Sequence, residues 1–193
     1  MLFFLSGADE EEFYEHWEHY ETLLAGQPTQ ILQVGGTLGA GPLVNLDPAR
    51  ARSIMEPALE PSIELGLGFV TSRLRGHLAA IESRAGNTAA ATRRLIEVIE
   101  EDAAAGAWHT VWSWTHRLVT VFAAAGQTED AVTLHHAIPS GTAIFQGDEP
   151  AEILAHAQDE LGEERCAELA QQGARLTRVA LFQWLRDVTA NLE

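Results

Sequence analysis

Gly86-Asn87-Thr88-Ala89-Ala90-Ala91 and Gly126-Gln127-Thr128-Glu129-Asp130-Ala131 decide the fold class of this chain. Each sets a helix-stopping glycine before a short polar residue able to cap a helix start, and alanine follows. Leu46-Asp47-Pro48-Ala49-Arg50-Ala51 repeats the capping and alanine positions. The closing alanines stand at 51, 91 and 131, so the step is 40 on both occasions. Ala25-Gly26, Leu65-Gly66 and Ala105-Gly106 recur at the same step, as do Leu78 and Leu118. A fixed period of this length marks stacked supersecondary units, each unable to bury its apolar face alone.

The segments between these markers read as helices. Asp47-Pro48, Thr88 and Thr128 predict helix starts, with Pro48 in a first turn where its missing N–H costs nothing. Glycines 26, 66, 86, 106 and 126 predict left-handed stops. Trp108, Val111, Trp112, Leu118, Val119 and Phe122 follow the i, i+3, i+4, i+7 rule. Leu95, Ile96, Val98 and Ile99 predict a helix buried on a broad face, and Ala131, Leu134 and Ala137 or Ile138 continue the pattern. Two helices and two turns per 40 residues predict an all-α, tetratricopeptide-like α-solenoid of stacked antiparallel helix pairs with a C-terminal helical cap. The chain reads as one helical-repeat domain: a divergent acidic first repeat over 1–46, regular repeats over 47–138, and a loop with the cap over 139–193. The glycines at 35, 36, 39 and 41, with Pro42, predict irregular structure in the second half of 27–47. Pro57 and Pro61 predict a kink or two short helices in 48–65, since an interior proline costs about 3 kcal/mol.

Composition narrows the function. The 193 residues are 46% hydrophobic, enough for a packed core, and carry a net charge of −16. All twelve basic side chains are arginine, and the first, Arg50, follows eight acidic residues. Such a chain repels nucleic acid and anionic membrane, so neither is an expected partner. No stretch approaches the roughly 18 apolar residues of a membrane span. Met1-Leu2-Phe3-Phe4-Leu5 is too short for a signal peptide and meets the acidic run Asp9–Glu12. The lone Cys166 excludes an intramolecular disulfide, and the expected location is cytoplasmic. Between Leu161 and Leu169 it reads as a buried, inert thiol.

Leu161-Gly162-Glu163-Glu164-Arg165-Cys166-Ala167-Glu168-Leu169, then Gly173 and Leu176-Thr177, resembles a signature near the end of one regulator family. These are the actinobacterial STAND-type ATPases with LuxR-type or SARP-type DNA-binding domains and a C-terminal tetratricopeptide-like array. Asp47–Ala51 and Ala85–Ala91 are similar to the same family's helix boundaries, so the resemblance spans roughly 47–193. It implies the sensor or interaction array alone, as a fragment or a free-standing relative. A chain without lysine holds no Gly-x-x-x-x-Gly-Lys-Ser/Thr phosphate loop, and the LuxR-type helix-turn-helix would follow about where Glu193 stands. Cys166 replaces a usual aromatic, and Arg178-Val179 replace the usual acidic residues after Thr177.

In such arrays the first helix of each pair lines a concave groove. On that analogy the polar stripe His109, Ser113, His116 and Thr120 faces a ligand, with Arg73, Gly76 and Ala80 matching it one repeat earlier. Small residues there would open room, and Arg73 could pair with a carboxylate or phosphate. The expected function is therefore a non-catalytic module that binds a protein, a peptide or a small effector. No catalytic residue, metal or cofactor is assigned. The alternatives are a metal- or His-dependent enzyme using His109 with His116 or His16 with His19, and a homo-oligomer paired through Met1–Leu5. His16 and His19 share a helix face but lack a third ligand, and the adjacent His135 and His136 point about 100° apart.

Overall fold

The computed structural model describes residues 10–26, 29–140 and 149–190. All regular structure among them is helical: α1 (Glu10–Ala25), α2 (Gln30–Gly36), a 3-10 turn (Thr37–Ala40), α3 (Leu43–Leu46), α4 (Pro48–Glu64), α5 (Gly68–Arg84), α6 (Thr88–Ala104), α7 (Trp108–Ala124), α8 (Thr128–Ala137), α9 (Glu149–Leu161), α10 (Glu163–Ala174) and α11 (Arg178–Ala190). No described helix is long and apolar enough to cross a membrane. Met1–Leu5, most of the loop after Ser140, and the side chain of His16 lie outside the described residues.

Helices α4 to α7 each have 17 residues, and a three-residue connection follows each. The connections share one geometry. Gly66, Gly86, Gly106 and Gly126 have φ of 67°, 83°, 75° and 72°. Each glycine N–H bonds a carbonyl three residues back, and the next N–H reaches five back. For Gly106 these are Ala103 O at 3.0 Å and, from Ala107, Asp102 O at 2.8 Å. This double closure satisfies carbonyls that the helix end would leave bare. Within each unit, helices joined by so short a link reverse direction. Gly26 is not among the positive-φ glycines, so the left-handed stop predicted there does not form.

Three further expectations need adjustment or support. Thr88 and Thr128 are first helical residues, and the capping positions fall to Asn87 and Gln127, which make no side-chain cap bond. In a three-residue link, the residue that closes one helix also opens the next, so capping moves one position back. Asp47 does cap α4, accepting from the Arg50 N–H at 3.0 Å. Pro57 and Pro61 lie inside one continuous α4. Four apart, they share one side of the helix; Pro57 and Ser53, whose carbonyls lose partners, are exposed to water there. The opposite side buries Ala51, Met55, Ala58 and Ser62 and holds the helix together. Residues 29–46 form short pieces, as the glycines predict.

The chain divides into two compact units, Met1–Ile81 and Glu82–Glu193, with the boundary inside α5. In the first, Trp17, Val34, Leu43, Met55, Leu74 and Leu78 build the core. The Ser62 and Thr71 hydroxyls, 2.8 Å apart, tie α4 to α5, and Arg50 reaches Glu21 of α1 at 2.6 Å. In the second unit α7 packs on α6, α8 and α9, α10 packs on α8 and α9, and α11 returns to α6. Leu95, Ile99, Val111, Leu118, Phe122, Leu134, Leu181 and Leu185 are fully buried.

The residues of the 161–177 signature carry packing roles in this unit. Gly162, with φ 82°, breaks α9 from α10. Arg165 grips Glu129 of α8 with two bonds, 2.8 and 2.7 Å, and Glu168 with a third at 2.9 Å. Cys166 and Leu169 are buried against Val132 and Ala157. A side chain at Gly173 would collide with the Thr133 carbonyl oxygen, so only glycine permits this approach of α10 to α8.

Ala51, Ala91 and Ala131, the marker alanines, have no exposed surface. Ala91→Asp or Ala131→Asp should therefore lower stability by about 3 kcal/mol or more, because a carboxylate is buried unpaired. Ala155→Asp, on an exposed position of α9, should change it by less than about 0.5 kcal/mol. Urea unfolding followed by circular dichroism measures both.

Candidate functional site

The predicted α7 stripe exists as a partly exposed face. His109 is exposed, and Ser113, His116 and Thr120 are half-buried. Two of its hydroxyls serve their own helix: Ser113 donates to the His109 carbonyl at 2.9 Å and Thr120 to that of Arg117 at 2.8 Å. Arg73, Gly76 and Ala80 belong to the first unit. There Arg73 is half-buried, while Gly76 and Ala80 are buried, Ala80 within the core cluster.

His116 joins a row of imidazoles. Its ring lies 6.3 Å edge-on from His135 of α8, which in turn lies 5.1 Å from His136. His135 is half-buried and His136 exposed, as adjacent residues on a helix should be. Burial, then the neighbouring His135, pushes His116 down to about 4 from the ordinary 6.5. Burial also lowers His135, helped by His136, and lowers His136. The Nδ1 of His135 is buried with no hydrogen-bond partner. Among the described residues no group of three or more His, Cys, Asp or Glu is placed to hold a metal ion. His19 is exposed on α1.

A second arrangement in this unit was not anticipated by the residue patterns. The start of α7, the end of α6 and one side of α11 enclose an open depression of about 390 Å³. Trp108 and Phe182 meet edge to face across it at 6.5 Å, and Trp108 also contacts Trp112 at 5.8 Å. The Arg178 guanidinium carbon lies over the Trp108 indole, 4.1 Å from the ring centroid. Arg186 is fixed at the opposite rim by a 2.6 Å bond to Glu100. Ala103, Ala104 and Val179 complete the wall. Val179 is 82% exposed, which is unusual for a large aliphatic side chain beside a pocket. Trp114 is buried elsewhere on α7. The residue types at Arg178 and Phe182 are visible in the sequence, but only folding brings them to Trp108.

The first unit has its own apolar groove, where α1, α2 and the start of α5 meet. Leu23, Ile31 and Leu32 line it at about half exposure, with Tyr20, Leu67 and Val70 beneath. No known protein family, curated relative or solved structure matches this chain.

The lowered His116 pKa has a consequence for stability. Between pH 6.5 and about 4 the unfolded chain binds a proton at this residue that the folded chain refuses. Its contribution is complete above 6.5, declines as pH falls, and is gone below about 4. His116→Gln should flatten the loss of stability across that window. Urea unfolding at a series of pH values checks it; an unchanged slope would contradict the assignment.

Proposed function

We propose that this chain is a non-catalytic, tetratricopeptide-like helical-repeat module of the STAND/LuxR/SARP regulator type, working by binding a partner. The observation that carries this reading is the depression at Trp108, Arg178 and Phe182. Tryptophan and arginine dominate the binding energy of protein interfaces, because each offers a large, stiff contact surface with a polar edge. Exposed apolar side chains cost solvation unless something covers them; the first unit gathers Leu23, Ile31 and Leu32 in one groove, and the second leaves Val179 exposed beside the partly exposed Trp108 and Phe182. The 20-residue spacing of helix starts from Pro48 to Thr128 supports the stacked-pair architecture, in which one side of each pair stays open. The resemblance over 161–177 supports the lineage, and the charge of −16 disfavours a direct nucleic-acid role.

A selection from a phage-displayed library of random twelve-residue peptides on the immobilised full chain tests this function. Enrichment of sequences that the free chain competes away is expected. Absence of any enrichment, together with stoichiometric zinc in the purified protein, would favour the enzyme reading instead.

A further inference from the structure

The charge along this chain is distributed unevenly in a way that bears on the depression. Residues 169–186 contain three arginines, Arg175, Arg178 and Arg186, and no acidic residue, within a chain of net charge −16. Two of those three arginines form the rim of the Trp108 depression. Arg178 is exposed and has no carboxylate partner among the described residues. The guanidinium carbon lies over the Trp108 indole, 4.1 Å from the ring centroid, which limits where this side chain can move. Its N–H groups, with no carboxylate to bond, form the donor fork that can take one with two parallel bonds. Arg186 meets Glu100 through Nε, leaving its terminal N–H groups for a second acceptor.

The rest of the lining has the opposite character. Phe182, Ala103 and Val179 are apolar, and alanine at 103 and 104 leaves space for a side chain that enters from solvent. A carboxylate alone would leave these apolar groups wet; an apolar group alone would leave Arg178 unpaired. The depression is also open. Small ligands are usually held in clefts that bury most of their surface, whereas a chain segment can lay one side chain in the depression and continue across the rim.

From this we infer that the Trp108–Arg178–Phe182 depression is a docking site for an acidic peptide segment of a partner, with an aromatic or aliphatic anchor beside its carboxylates. The inference rests on the interaction-module reading and names the chemistry of the partner. With 28 acidic against 12 basic residues the chain as a whole disfavours such a segment, and Arg178, with Arg186 beside Glu100, supplies the local positive charge that favours it here.

The test uses the full chain and a fluorescein-labelled peptide, Gly-Asp-Glu-Phe-Leu-Glu-Asp-Gly, followed by anisotropy. Two control peptides replace the acidic residues by lysine, or Phe-Leu by Ser-Ser. The parent peptide is expected to bind, and both controls to bind at least about tenfold more weakly. Arg178→Glu should weaken the parent by about tenfold or more while leaving the thermal melt unchanged, and raising salt to about 0.5 M should weaken it too. Equal binding to Arg178→Glu, no binding by the parent, or preference for the lysine peptide or for a DNA duplex would overturn the inference. If the displayed library yields binders indifferent to Arg178→Glu, this site falls while the interaction-module reading stands. If it yields none, both fall.

Discussion

A left-handed glycine every 20 residues is the constraint on which the rest of this structure depends. At Gly66, Gly86, Gly106 and Gly126 the chain turns through positive φ. The N–H groups there return to the carbonyls of the helix just ended. A residue with a Cβ pays steric strain in that conformation, of about 1 kcal/mol or more. The closure ends each helix at the same length and starts the next after three residues. The marker alanines consequently recur at one position of alternate helices, where their small side chains are fully buried.

Much of this was legible because it is local. Helix stops at glycine, the Asp47 cap and the apolar faces of α6 and α7 are set by residues within one or two turns of each other. Thr88 and Thr128 misled because the sequence displays a good capping side chain without showing that the preceding residue serves two helices at once. Of the two outcomes that Pro57 and Pro61 predict, a break into two short helices does not occur, for a different reason. Propensity charges each proline its full cost, but burial of Met55, Ala58 and Ser62 on the other side of α4 outweighs it. The predicted ligand stripe was legible as a polar face of α7 but not in its details. Two of its hydroxyls bond their own backbone, and the match on α5 places Gly76 and Ala80 in buried positions.

What the sequence concealed is tertiary. Trp108 and Arg178 are far apart along the chain, and only the return of α11 to α6 and α7 joins them. The contacts that guide this return are unlike those of the repeats. Phe122 meets Trp184 edge-on at 6.3 Å, Phe182 meets Trp108, and Arg186 binds Glu100. The preceding helix is docked by Arg165 and by the bare backbone at Gly173. Arg165 and Gly173 therefore position α10, from which residues 175–177 lead into α11. On the proposed function, these two residues support the unit that carries the binding surface without forming that surface.

The backbone at these turns carries the whole repeat. Gly106 has φ 75° and open space where a Cβ would stand, so substitution there changes conformational strain with no clash. Urea unfolding of Gly106→Ala and Gly106→Asn isolates that strain. The alanine variant should lose about 1 kcal/mol and the asparagine variant less, since asparagine tolerates the left-handed region. An alanine variant as stable as the original chain, or more stable, would contradict the account.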